Sequence, residues 1–253
     1  MTEHEGLEKH PDTADDLLSQ ANLYHSQKRY SEAEPLLLQA LKLRQQQLGD
    51  NHPDTTPILN KLALLYKEQG RYGEAERLLL QAIDIKQQLG VEDVSIAINF
   101  ANLALVYQSQ GRYGKAETLF LKALDIKKCQ LGKEHYITLN TLKTLAEMYK
   151  EQGNYRKAET FWLQVLDIDR RGVDKSATAF SLGKLAEVYY KQGRYRKAEP
   201  LFQQAIYILE LRFSDNPHTV SFRKTLEDLR KQRKTGLLAK LKRWVQQRLM
   251  PLH

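Results

Sequence analysis

Between Asp54 and Gly90 the apolar residues recur at helical spacing. Leu59, Leu62, Ala63 and Tyr66 form one stripe, which predicts a helix of about four turns. Gly70-Arg71-Tyr72 interrupts the stripe, and Gly70 suits the left-handed position that ends a helix. Beyond this turn Ala75, Leu78, Leu79, Ala82, Ile83 and Leu89 mark a second amphipathic helix, so the segment reads as a helical hairpin. The same hairpin is written five times. Tyr30, Tyr72, Tyr113, Tyr155 and Tyr195 recur at spacings of 42, 41, 42 and 40 residues. Three further columns keep step with them: Ala21, Ala63, Ala104, Ala146 and Ala186; Tyr24, Tyr66, Tyr107, Tyr149 and Tyr189; and Ala33, Ala75, Ala116, Ala158 and Ala198. Gly111, Gly153 and Gly193 fill the Gly70 column, and Lys28 departs from it.

Two helix backbones approach closely only where neither side chain extends beyond a methyl group, which gives the alanine columns a steric reason. A hairpin of this kind leaves apolar surface on both flanks, so each unit is stable only against its neighbours and the stack grows as a superhelix. The pattern predicts an all-α solenoid of antiparallel helix pairs with no strand. Its bounds are an N-terminal tail at 1–9, five repeats over 10–213, a capping helix at 214–234 and a basic amphipathic helix at 235–253. In the cap Phe222, Leu226 and Leu229 fall on the apolar side, while Glu227 and Arg230 occupy the alanine and tyrosine columns. The linkers His10-Pro-Asp-Thr13 and His52-Pro-Asp-Thr55 offer Asp and Thr as caps for the helices that follow. Their histidines come one per linker, a repeat apart, without a second ligand at metal-binding spacing, so no metal site is expected.

Charge changes the picture at one end only. The net charge is +8, and residues 223–253 carry ten Lys or Arg against Glu227 and Asp228, which accounts for all of it. The N-terminus lacks the features of a signal peptide and no stretch approaches a membrane span, so the chain reads as a soluble, cytoplasmic protein. Its single cysteine, Cys129, fits a reducing compartment. No phosphate-binding glycine loop, paired-cysteine, zinc-protease or nucleophile-elbow motif occurs, and the carboxylates follow the repeat, so neither catalysis nor a cofactor or small-molecule substrate is implied.

Leu62-Ala63-Leu64-Leu65-Tyr66 followed by Gln69-Gly70-Arg71-Tyr72-Gly73-Glu74-Ala75 resembles a tetratricopeptide repeat. The period near 42 and the linker Leu48-Gly49-Asp50-Asn51-His52-Pro53 resemble the variant found in kinesin light chains and many bacterial proteins. The resemblance implies a right-handed superhelix that acts as an interaction scaffold or adaptor. It also implies a concave groove lined by the first helix of each hairpin. Carried over position by position, the groove comprises Asn22 and His25; Asn60, Lys61 and Lys67; Asn102 and Gln108; Lys143 and Lys150; and Gly183, Lys184, Tyr190 and Lys191. Asn60 and Asn102 stand for the asparagine pair typical of kinesin light chains. Asparagine can pair with both N–H and C=O of an extended peptide, and lysines a repeat apart can meet carboxylates along it, so the expected partner is a protein or peptide segment with acidic residues.

The last segment, Gly236 to Met250, reads as a further helix ended by Pro251. Leu237, Leu238, Leu241, Trp244, Val245 and Leu249 share one sector, with Lys240, Lys242 and Arg243 outside it. That pattern suits packing on the last hairpin, an anionic membrane surface, a protein partner or nucleic acid. Membrane or nucleic-acid contact would run through Lys240, Lys242, Arg243 and Trp244.

Overall fold

A computed structural model describes residues 13–211 and 216–249, with side chains through Thr235 and at 238–239. All regular structure among these residues is helical. Five pairs follow one another: α1 (Ala14–Ser26) with α2 (Tyr30–Leu48), α3 (Thr56–Glu68) with α4 (Tyr72–Gln88), α5 (Val94–Ser109) with α6 (Tyr113–Leu131), α7 (Tyr136–Glu151) with α8 (Tyr155–Arg171), and α9 (Lys175–Lys191) with α10 (Tyr195–Glu210). α11 (Pro217–Leu249) follows. The helices are sequential antiparallel pairs of the kind that build a solenoid. They form two compact units, Met1–Thr141 and Leu142–His253, divided within α7.

Every hairpin turns by the same device. Gly70, Gly111, Gly153 and Gly193 have φ of 76°, 71°, 73° and 72°, and the next N–H reaches back to the tyrosine carbonyl, as from Arg71 N to Tyr66 O at 2.8 Å. Lys28 adopts the same conformation, with φ of 60°, despite its Cβ. The departure in sequence therefore leaves the turn intact.

All ten residues of the alanine columns are fully buried, at 0 % exposure. Around them pack Leu59, Leu62, Ile58 and Leu79 in the first unit, and Trp162, Phe202 and Leu182 in the second. The tyrosine column closes the turn edge. Tyr66, Tyr107 and Tyr189 each carry a guanidinium on their ring, from Arg71, Arg112 and Arg194 at 3.9, 4.2 and 4.5 Å. Each arginine then reaches the preceding repeat, pairing with Glu34, Glu76 and Glu159 respectively. These glutamates directly follow the second-helix alanines, so the ladder has a periodic signal in the sequence.

Two details of the linkers and the last helix differ from the sequence reading. Thr13 caps α1 by accepting from Asp16 N, but Asp54 does not cap α3. A short 3-10 turn at Pro53–Thr55 intervenes, and the His52 ring accepts Asp54 N at 3.2 Å. His135 accepts Ile137 N in the same way, so two of the linker histidines act as turn acceptors. After the fifth repeat the expected cap and separate tail helix run together as α11, which passes Gly236 without a break. A single glycine costs a helix about 1 kcal/mol and no proline follows until Pro251, so nothing stops the helix there. Residues 1–9 of the tail lie outside the described residues.

Candidate functional site

α1, α3 and α5 carry the expected groove positions of the first unit. Lys61 Nζ donates to Asn22 Oδ1 at 2.7 Å, which links the first two repeats. His25 faces Glu68 at 3.3 Å and tilts on Tyr30. Lys67 stands half-exposed on the same helix as Lys61 with no partner among the described residues. Gln108 is half-buried on α5.

Three amides converge between α3 and α5. Asn60 Nδ2 donates to Asn99 Oδ1 at 2.6 Å, and Asn102 Nδ2 donates to Asn60 Oδ1 at 3.2 Å. Asn60 and Asn102 are half-buried, whereas Asn99 is fully buried and its Nδ2 has no acceptor. A buried amide donor left without an acceptor costs about 1–3 kcal/mol, so this cluster is short of one carbonyl. Asn99 was not among the expected groove residues. It lies three residues before Asn102, nearly one helical turn, and that spacing was the available signal.

In the second unit the expected groove positions form an ionic network. Lys150 bonds Glu147 and Glu187, the latter at 2.9 Å; Lys184 lies 3.5 Å from Glu187 and 3.8 Å from Glu147. Burial opposes the charge on Lys150, but the hydrogen bond to Glu147 and the field of Glu187 outweigh it and raise its pKa above the ordinary lysine value. Lys143 faces the buried Asp169 at 3.9 Å, and both Lys143 and Lys184 approach the Phe180 ring, at 5.8 and 5.5 Å. Tyr190 accepts from Gln232 Nε2 of α11 at 2.9 Å, and Lys191 is exposed. Gly183 is not a groove position. It is buried under α11, where a Cβ would overlap the Phe222 ring.

Nothing in either cluster resembles a catalytic arrangement. Glu147, Glu187 and Asp169 already face ammoniums, and among the described residues no group of His, Cys, Asp and Glu could hold a metal ion. The side chains of Lys240, Lys242, Arg243 and Trp244 lie outside the described residues, although the α11 backbone passes through all four. No described helix is long and apolar enough to cross a membrane.

Comparison with known proteins fits this geometry. The tetratricopeptide repeat sequence profile matches residues 8–88, 94–171 and 152–210. A structure of BtubC (BKLC) from P. vanneervenii superposes with a TM-score of 0.71 at 24 % identity, covering 80 % of this chain and 82 % of that one. A putative kinesin light chain of nearly identical TPR-like repeats from Podosopora anserina gives a TM-score of 0.71 at 25 % identity, covering 81 % of this chain and 99 % of its own. The signal transduction ATPase PH0952 from Pyrococcus horikoshii, described as having a tetratricopeptide repeat sensor, shares the fold at 20 % identity and a TM-score of 0.69, with 85 % of this chain on 31 % of that one. No curated protein sequence matches the chain.

Proposed function

Because the chain belongs to the tetratricopeptide repeat family, whose members generally mediate protein–protein interactions, we propose that it is a non-catalytic scaffold holding an extended partner segment against the first helices of its hairpins, chiefly α3 and α5. The observation that carries this reading is the pair of half-buried amides of Asn60 and Asn102, hydrogen-bonded to each other and backed by the buried Asn99. An extended segment offers a carbonyl on every residue, and side-chain amides can meet both its N–H and its C=O without regard to sequence. The lysines play a smaller part. Lys143, Lys150 and Lys184 already face Asp169, Glu147 and Glu187, so an acidic segment gains only the difference between the old ion pair and the new one.

The test begins with a peptide selected against the full chain from a displayed random library. Replacing Asn60 and Asn102 together by Ala should weaken its affinity about tenfold or more with unchanged circular dichroism, since each lost hydrogen bond is worth about 1 kcal/mol. Replacing Lys143, Lys150 and Lys184 by Ala should cost less. Equal affinity for wild type and the asparagine variant removes the groove from the account.

A further inference from the structure

The second helices of the first unit turn a constant apolar position toward solvent. Five residues after the second-helix alanine stand Leu38 on α2, Leu80 on α4 and Leu121 on α6, and Leu163 holds the same place on α8. Leu38 and Leu80 are exposed and Leu121 is half-buried. A lone leucine on a surface is ordinary, but this column keeps one residue type through four repeats, while the positions three before it and four after it vary. The alanine columns are constant because they are packed. The leucines are as constant without being buried.

α4 carries opposite charges on either side of its leucine. Arg77, Leu80, Asp84 and Gln88 fall at helical spacing on one face, opposite the buried Ala75, Leu79 and Ala82. Arg77 is exposed and forms no ion pair among the described residues, since Glu74, the acid one turn before it, is held by Arg71. Asp84 is exposed too and accepts from Gln88 Nε2 at 2.7 Å. The two charges flank Leu80 almost symmetrically, three residues before it and four after. A second copy of α4 laid antiparallel on the first, with a two-fold axis crossing between Leu80 and Gln81, therefore brings each Arg77 level with Asp84 of the other copy. Leu80 then packs on its own equivalent between the two ion pairs. Laying the helices parallel sets Arg77 on Arg77 and Asp84 on Asp84, so charge selects the antiparallel arrangement.

The neighbouring helices fit the same axis. Glu34 of α2 pairs with Arg71 ahead of α4, and Glu76 of α4 with Arg112 ahead of α6, so the three helices stand in a row with their leucines in phase. At the offsets of Arg77 and Asp84, α2 has Pro35 and Lys42 and α6 has Thr118 and Asp125, so no like charges meet across the axis. With helices about 25 Å long and axes about 10 Å apart, the face offers roughly 500–750 Å² per copy. Standard specific interfaces bury about 800 Å² per partner, so the contact suits a dimer of micromolar strength.

We propose that the first unit forms a two-fold homodimer through the outward faces of α2, α4 and α6, with Leu80 at the axis and an Arg77–Asp84 pair on each side of it. The occupant of the leucine ridge is a second copy of this chain. α1, α3 and α5 lie behind the second helices, so the proposed groove stays open in each copy.

The experiment is sedimentation velocity of the full chain from about 1 to about 200 µM. The wild type should pass from monomer to dimer, and Leu80→Glu should stay monomeric throughout. Arg77→Asp and Asp84→Arg should each weaken the dimer about tenfold or more, because each reversal turns two attractive contacts into two repulsive ones; combined in one chain they should restore it to within about threefold. Circular dichroism should not change in any of these variants, since all three positions are exposed. A wild type that is monomeric at every concentration overturns the proposal and leaves the ridge to another protein. So does a dimer that the single reversals leave intact, or one that the combined variant fails to rescue.

Discussion

Lys127 shows how much a single residue can hide. At 5 % exposure it is buried, with its Nζ on the Thr141 hydroxyl at 2.8 Å, and burial lowers its pKa below the ordinary lysine value. Arg44, Lys86, Lys127, Asp169 and Leu209 occupy one column, fourteen residues after the tyrosine that opens each second helix. Periodicity exposes columns that keep one residue type, as the alanines do. This column runs Arg, Lys, Lys, Asp, Leu with no constant residue type, so its burial could not be read from the sequence. The consequence for Lys127 has a definite sign. With the folded pKa below the unfolded one, the unfolded chain binds more protons in the interval between them, and stability rises with pH toward about 10.4. Lys127→Met keeps the stem, removes the buried charge, and should stabilise by about 1 kcal/mol or more at neutral pH while flattening that rise. Denaturant midpoints across alkaline pH decide it; a Met variant with the wild-type slope means that Lys127 is solvated.

Among the elements, the hairpins were the legible part, because helix pattern and alanine column agree in each repeat and the turn glycine in four of the five. The apolar side of the segment after the fifth repeat was legible too: Phe222, Leu226 and Leu229 are all buried. What the sequence could not reveal was the fit beneath it. Gly183 falls at a groove offset by position, yet it is the spot where the Phe222 ring presses on α9, and only the absence of a Cβ allows it. Gly183→Ala should therefore destabilise by about 1–3 kcal/mol despite its better helix propensity. In a Phe222→Ala background the same change should be neutral or favourable. Thermal unfolding of the four proteins closes the cycle, and an equal effect of Gly183→Ala in both backgrounds means that the ring does not seat α11 there.

At the scale of the whole molecule, one hairpin repeated five times yields two kinds of surface. First helices present amides and paired charges, as at Asn60, Asn102 and Lys150; second helices turn outward leucines such as Leu38, Leu80 and Leu163, which are 45–47 % exposed. The offsets from the alanines supplied the expected groove positions but not their pairing, because Glu147, Glu187 and Asp169 meet their lysines only through the fold. The central claim is that the partner lies on the first helices. Photo-crosslinking tests it most directly, with a benzophenone amino acid placed at Gln108 on α5 in one protein and at Leu80 on α4 in another. The selected peptide should be trapped from Gln108 and not from Leu80; trapping from Leu80 alone contradicts a partner on the first helices.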